Sequence, residues 1–461
     1  MRIHVEPAIE RWQPAQRQGR DRQKLTALAA EHARRLDVAA PQGQPGIIMT
    51  GHQPWLWHPG ILAKDIAAAA AAERFDAQAI HLVVDQDVLD QIDIELPIQR
   101  GHALAARRVV LAPCLPMVPI GVQPPADAEA IVQRLEAAAA PRDGRVLADL
   151  KPLIEAFGNV PPCQTLAEQM GVVLARLRRP VVPSMPIVFA TELAKLDGFD
   201  HFMRRMRDDP ARCVSCYNEA AAQHPDAGIK PLRTEGRRIE LPLWALRWQG
   251  PRRRVFADVS NGTAVLTLEN GQPAGGEHST LAPRALLMTA LLRSEGCGLF
   301  IHGKGGALYD RVTEQWVRNW LTIELAPIAI VSADLFLPLD VPLAEPRDVA
   351  AAAWWVHHLP HNLDRALRLD GPRVRRKRIL LEQMDDDRDR QRRGRAFQEI
   401  HTINHELAQQ HAEELGDAQR TLSVTVAGAA NRAIAQKRDW SFALHAAGQL
   451  RDITKRLSSP L

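Results

Sequence analysis

Two histidines six positions apart, His52 and His58, lie in the run Ile47-Ile48-Met49-Thr50-Gly51-His52-Gln53-Pro54-Trp55-Leu56-Trp57-His58-Pro59-Gly60-Ile61-Leu62-Ala63-Lys64. The apolar stretch ending at Met49 has the pattern of a buried strand. Pro59-Gly60 then leads into six consecutive alanines, Ala67 to Ala72, the pattern of a helix. A tight strand-to-helix loop offers backbone N–H groups and partial positive charge to a phosphate or carboxylate. Thr50, Gly51 and Gly60 would shape that cradle, and Lys64, one turn into the helix, could reach the anion. The imidazoles would flank the anion as donors and handle developing negative charge. Each has a plainer alternative: a histidine here can cap the helix or bond a backbone carbonyl, and Lys64 can be solvated.

Two further clusters carry chemistry. Asp85 and Asp87 end the apolar run 79–84, where they could orient an amine or hold Mg²⁺ through a water, although acids at strand ends also cap helices. His302-Gly303-Lys304-Gly305-Gly306 is a glycine nest with a lysine inside it, suited to phosphate; it lacks the spacing of a Walker A loop. Cys213-Val214-Ser215-Cys216 is a lone CxxC with no further ligands nearby, so two buried helical cysteines are expected there. The basic run 373–378 is expected to be a solvated helix face opposite acids, with Asp385, Asp386 and Asp387 close in sequence.

These residues need a scaffold. Leu25, Leu28, Ala29, His32 and Leu36 recur at helical spacing. The strand at 47–49, the alanine-rich helix and the strand at 79–84 form a βαβ unit, so the 51–60 loop and the 85–87 acids should share one crevice at the strands' carboxyl ends. Ile92, Ile94 and Leu96 alternate with Asp93 and Glu95 as in a half-exposed strand. Prolines punctuate 113–125, helices are expected over 127–139, 146–157, 191–207 and 210–224, and a third strand over 181–189. Antiparallel strands follow at 239–248, 254–259 and 264–268, with an Asn261-Gly262 turn. Strands over 298–301 and 327–334 bracket a helix through Trp316 and Trp320. Beyond about 345 long charged helices take over, and Phe397, Ile400, Ile403, Leu407 and His411 suit a coiled coil or helical hairpin.

Composition limits the function classes. The chain has 461 residues, 46% hydrophobic and 24% charged, which is ordinary globular material, long enough for two or three cores. A net charge of +4 is too balanced for nucleic-acid binding by the whole surface. No apolar window is long enough for a membrane span, and the first residues lack a secretory signal. Five cysteines impose no disulfide framework, which fits a cytoplasmic location.

Several stretches resemble the bacillithiol-biosynthesis cysteine-adding enzymes. Met49-Thr50-Gly51-His52-Gln53 with Leu56, Gly60 and Lys64 resembles that family's N-terminal Thr-Gly-Gln-Gln signature, and Asp85-Gln86-Asp87 its acidic strand end. Cys216-Tyr217-Asn218-Glu219-Ala220 and Glu240-Leu241-Pro242-Leu243-Trp244 are similar to its Tyr-Asn and Glu-Leu-Pro-Phe-Trp segments. Leu281-Ala282-Pro283-Arg284 and Ile301 to Tyr309 resemble its Gly-Gly-Pro-Gly-Glu-x-x-Tyr region. The patches run over about 46–335. His52 stands where the family has glutamine, and the glycine loop holds Lys304 and lacks the family's Glu. His58-Pro59-Gly60-Ile61 partly resembles the His-x-Gly-His signature of nucleotidylyltransferases, with Ile61 in place of the second histidine.

The resemblance implies an α/β fold: a Rossmann-like, nucleotidylyltransferase-like parallel-sheet core over 46–340 with inserted α+β segments at about 113–280. An N-terminal helical segment over 1–45 precedes it, and a C-terminal helical, coiled-coil-like region over 341–461 follows. It also implies a ligase-like enzyme joining an amino acid or amine, cysteine in that family, to a small or sugar-linked acid, and a homodimer through the C-terminal helices. Catalytic roles are expected for His52, His58, Asp85 and Asp87. Binding roles are expected for Thr50, Gly51, Gly60, Lys64 and His302 to Gly306. The cofactor stays open, with ATP or another nucleotide and Mg²⁺ as the candidates and no dedicated protein metal site. The rival expectation is a non-catalytic nucleotide- or sugar-binding scaffold with a helical partner-binding tail. Convergence of His52, His58 and Lys304 on one open pocket discriminates the two.

Overall fold

The computed structural model of the chain describes residues 1–15, 19–140, 144–260, 263–276, 279–386 and 388–458; the expected Asn261-Gly262 turn and Asp387 lie outside them. Its centre is a six-stranded sheet ordered Arg2–Glu6, Ile328–Asp334, Leu299–His302, Gly46–His52, Ala77–Val83, Ile187–Phe189. All neighbours are parallel except the edge strand Arg2–Glu6. The parallel strands step outward from Gly46–His52 to Ala77–Val83 and Ile187–Phe189. The chain then returns to the other side of Gly46–His52 with Leu299–His302 and Ile328–Asp334. Strand order therefore reverses between Gly46–His52 and Leu299–His302, and such a switch point opens a crevice at the strands' carboxyl ends.

Strand periodicity divides the core. Ile48 points into one hydrophobic cluster, while its neighbours Ile47 and Met49 point into another across the sheet. Both faces are covered, which is why the strand reads as an unbroken apolar run. On Ile48's side lies the helix Pro59–Arg74, whose Ala63, Ala67, Ala68 and Ala71 are buried. Alanine favours the helix and its small side chain lets the backbone come close to the sheet. The opposite side carries Arg22–Leu36, with the expected Leu25, Leu28, Ala29, His32 and Leu36 buried, and Lys304–Leu321 through Trp316 and Trp320.

Two antiparallel sheets are inserted. Gln91–Arg100 pairs with Ala103–Pro113 and Arg145–Val146; Arg238–Leu246 pairs with Arg253–Ser260 and Thr280–Pro283. Ala103–Pro113 escaped the sequence pattern because alanine and arginine fill its middle and a register shift at Ile92/Asp93 interrupts its pairing. The helix Leu166–Arg178 was also missed, and the expected third strand shrinks to Ile187–Phe189.

In the C-terminal region Pro372–Asp386 and Arg390–Gln410 form a helical hairpin around Leu380, Ile400, Ile403 and Leu407, while Phe397 stays exposed. The basic run faces acids of its own neighbourhood, Arg373 to Glu406 at 2.6 Å, Arg376 to Glu399 at 2.7 Å and Lys377 to Asp364 at 2.6 Å. The last stretch leaves this hairpin: Trp440, Phe442 and Ile453 rejoin the core beneath Pro59–Arg74. Cys213 and Cys216 are buried in the helix Pro210–Gln223. Among the described residues no helix is long and apolar enough to cross a membrane.

Candidate functional site

A cleft of about 830 Å³ opens at the switch point, and every residue nominated from the sequence lines it except Thr50 and Asp85. Thr50 lies in the seam between the two central strands, where its Oγ1 donates to Ile301 O at 2.9 Å, so it is buried away from any ligand. Asp85 is buried too. It accepts from Thr191 N at 2.9 Å and from Thr191 Oγ1 at 2.5 Å, and burial pushes its pKa up to about 7. It therefore ties the 190s turn to the sheet instead of acting in the cleft.

Asp87 does face the cleft, taking Gln53 Nε2 at 2.8 Å and Arg252 at 2.9 Å. Asp85 and Asp87 serve different partners, so they do not act as a pair. Among the described residues no group of three or more His, Cys, Asp or Glu gathers for a metal.

The histidines depart from the expected pair of donors. His52 Nδ1 meets Gln53 O at 3.2 Å; a carbonyl only accepts, so Nδ1 carries the proton and Nε2 is left as an acceptor. Burial, reinforced by the charge of Lys64, lowers the His52 pKa to about 2, so the ring stays neutral. His58 Nδ1 accepts from Gly60 N at 3.0 Å as the N-cap of Pro59–Arg74, which puts its proton on Nε2. Burial also lowers the His58 pKa. Pro59 has no N–H, Gly60 N is taken by His58, and Ile61 N bonds His58 O. This helix start has satisfied most of its own donors, so it is a poor anion cradle.

The second helix start is different. Lys304–Leu321 has Gly303 at its N-cap and no side-chain acceptor there. Lys64 passes beside it: a Cβ on Gly303 would lie 3.8 Å from Lys64 Cδ. Lys64 is only 4% exposed, and Nζ donates to Gly51 O at 2.7 Å. Its neighbour Asp65 faces elsewhere, bound to His81 at 2.9 Å and Arg178 at 2.7 Å. Burial lowers the Lys64 pKa to about 8, with Asp65 opposing, so the ammonium persists at neutral pH. Among the described residues Lys64, Lys230 and Lys304, all on the cleft wall, form no ion pair.

Three cleft glycines are required by close approach: a Cβ on Gly51 would meet Leu82 O at 2.7 Å. A Cβ on Gly60 would meet His58 Cε1 at 2.7 Å, and one on Gly306 would meet His302 Nδ1 at 2.6 Å. On its other side His302 Nε2 lies 2.5 Å from Asp310 Oδ2.

The facing wall escaped the sequence-based nomination. Trp244 lies under two guanidinium groups, Arg252 at 4.6 Å and Arg284 at 4.5 Å from its centroid. Arg284 is paired with the buried Glu240 at 2.6 Å; Tyr217 and Lys230 also line the cleft, as does Arg438, which pairs with Asp334 beside His58. Tyr217, Trp244 and Arg284 stand in the patches that carried the family resemblance, so a signal existed for them. Lys230, Arg252 and Arg438 had none.

Comparison with protein-family models finds no match, and comparison with curated proteins finds none either.

Proposed function

We propose that this chain is an enzyme that holds an anionic, phosphate-bearing activated group against the start of the helix Lys304–Leu321 and joins an amine to a small acid. The observation that carries this is Lys64, a buried ammonium without a carboxylate partner, facing the cleft beside an uncapped helix start. The missing counter-charge is what a phosphate or carboxylate supplies. The Lys304 side chain and the backbone N–H groups of Lys304 and Gly305 would share the anion, those of Gly306 and Ala307 being bonded to Gly303 O. Convergence of His52, His58 and Lys304 on one cleft favours an enzyme over a non-catalytic scaffold.

The strand order and its switch point support a Rossmann-like core, the setting in which nucleotides bind. The patchwise resemblance to the bacillithiol cysteine-adding enzymes supports the same reaction class, with cysteine as one candidate amine. The acid would be activated by a nucleotide such as ATP. The amine nitrogen then forms the C–N bond, the C–O bond to phosphate breaks with its electron pair leaving on phosphate, and the amine proton passes to solvent.

Thermal-shift measurements with ATP, pyrophosphate and an amino-acid panel test this on the parent, Lys64→Met and Lys304→Ala. Pyrophosphate or ATP should raise the parent midpoint and leave Lys64→Met unmoved. A parent unmoved by every anion would sink the proposal. A homodimer through the C-terminal hairpin belongs to the same proposal, supported by Ile379 and Phe397, exposed at 45% and 59%. Light scattering on the parent and on Phe397→Asp checks it; a monomeric parent would rule it out.

A further inference from the structure

We infer that His52, Gln53 and Asp87 form a primary-amine subsite of hydrogen-bond acceptors beside the anion site at Lys64. The inference rests on the function proposed above and specifies how its second substrate is recognised. It follows from the direction of three hydrogen bonds. Gln53 Nε2 donates to Asp87 Oδ2 at 2.8 Å, so the amide is oriented and Oε1 remains to accept. His52 Nδ1 donates to Gln53 O at 3.2 Å, so Nε2 remains to accept. Asp87 accepts by nature, and its two oxygens keep lone pairs beyond those engaged by Gln53 and Arg252.

The loop that holds these atoms is rigid. Gln53 O also accepts from Trp55 N at 3.0 Å and from the indole of Trp57 at 2.7 Å, and Trp57 is only 1% exposed. Rotation of Gln53 to present its NH₂ would break the bond to Asp87, and protonation of His52 is opposed by burial. The acceptor character is therefore fixed before any ligand arrives.

In the same cleft, Lys64, Lys304 and the helix start present donors. The acceptors left on His52, Gln53 and Asp87 line one cleft and suit a ligand group rich in N–H donors, such as a primary amine. Because Arg252 offsets the charge of Asp87, this wall selects by directed hydrogen bonds more than by net charge.

The test is calorimetric titration of the full chain with glycinamide and with N-acetylglycinamide, in low and high salt, alongside pyrophosphate. Glycinamide should bind at least about tenfold more tightly than its acetylated counterpart. Its affinity should change little with salt, whereas that of pyrophosphate should fall. Asp87→Asn, which puts an amide where a carboxylate accepted, should weaken glycinamide about tenfold and leave pyrophosphate unchanged. Gln53→Met, which removes the Oε1 acceptor, should also weaken glycinamide and leave pyrophosphate unchanged. Equal binding of the two probes, or glycinamide binding that neither variant alters, would overturn the amine subsite. Loss of pyrophosphate binding alone would instead count against the anion site. Parent-like circular dichroism spectra separate these outcomes from misfolding.

Discussion

Lys64 is held in the cleft at an energetic cost that its function would explain. Its pKa is lowered to about 8 from 10.5, so at neutral pH the fold buries a charge that the unfolded chain keeps in water. That cost is on the order of 3 kcal/mol. Between about 8 and 10.5 the unfolded chain binds a proton that the folded chain has released, so stability contributed by this group rises with pH across that window. Lys64→Met should therefore unfold at a higher temperature than the parent at pH 7, with the advantage shrinking as pH is raised toward 10.5. Thermal denaturation across that range checks it, and a less stable variant at pH 7 would contradict it.

Asp85 has the opposite sign. With its pKa raised to about 7 from 3.8, the folded chain keeps a proton that the unfolded chain has lost. Stability from this group falls as pH rises through that window. Asp85→Asn should flatten the slope between pH 4 and 7, whereas Asp85→Ala should destabilise at every pH by leaving Thr191 N without its acceptor.

The two helices that start at the switch point are alike in sequence and different in chemistry. Each has a histidine just before its first glycines, yet His58 caps its own helix while His302 lies beside Asp310. His58→Asn should keep the cap and cost little, while His58→Leu should lose about 1 kcal/mol in urea denaturation. Gly306→Ala would place a methyl group 2.6 Å from His302 Nδ1. It should destabilise by about 1–3 kcal/mol and weaken pyrophosphate binding at the same time, since the imidazole must move or the first turn must open. An alanine variant with parent stability and affinity would show that the approach is looser than described.

Across the whole molecule the cleft depends on the far end of the chain. Phe442 N donates to Trp57 O at 2.6 Å, Arg438 pairs with Asp334 at 2.5 Å and lines the cleft, and Trp440 is 1% exposed. The last segment thus braces the loop that carries His52 and Gln53. Trp440→Ala should cost about 3–5 kcal/mol and weaken glycinamide binding. Phe397→Asp on the hairpin should change monomer stability by about 0.5 kcal/mol at most. Urea denaturation of both variants checks the contrast.

Much of this architecture is legible in residue order because it rests on local physics. A run such as Ile47-Ile48-Met49, a block of alanines and the glycines after His302 each declare a strand, a helix or a turn through burial and backbone preference alone. The βαβ unit and the placement of Gly51, Lys64 and Lys304 around one crevice follow from those elements and the rule that open parallel sheets bind ligands at their strand ends. What stayed hidden depends on partners distant in sequence. The proton on His52 is placed by a carbonyl in a folded loop, Asp85 is withdrawn by Thr191, and Arg252 and Arg438 arrive from segments without any local mark. Residue types show that imidazoles and acids are present. Which of their atoms donate, accept or stay charged is set by burial and by long-range hydrogen bonds, and these exist only once the chain has folded.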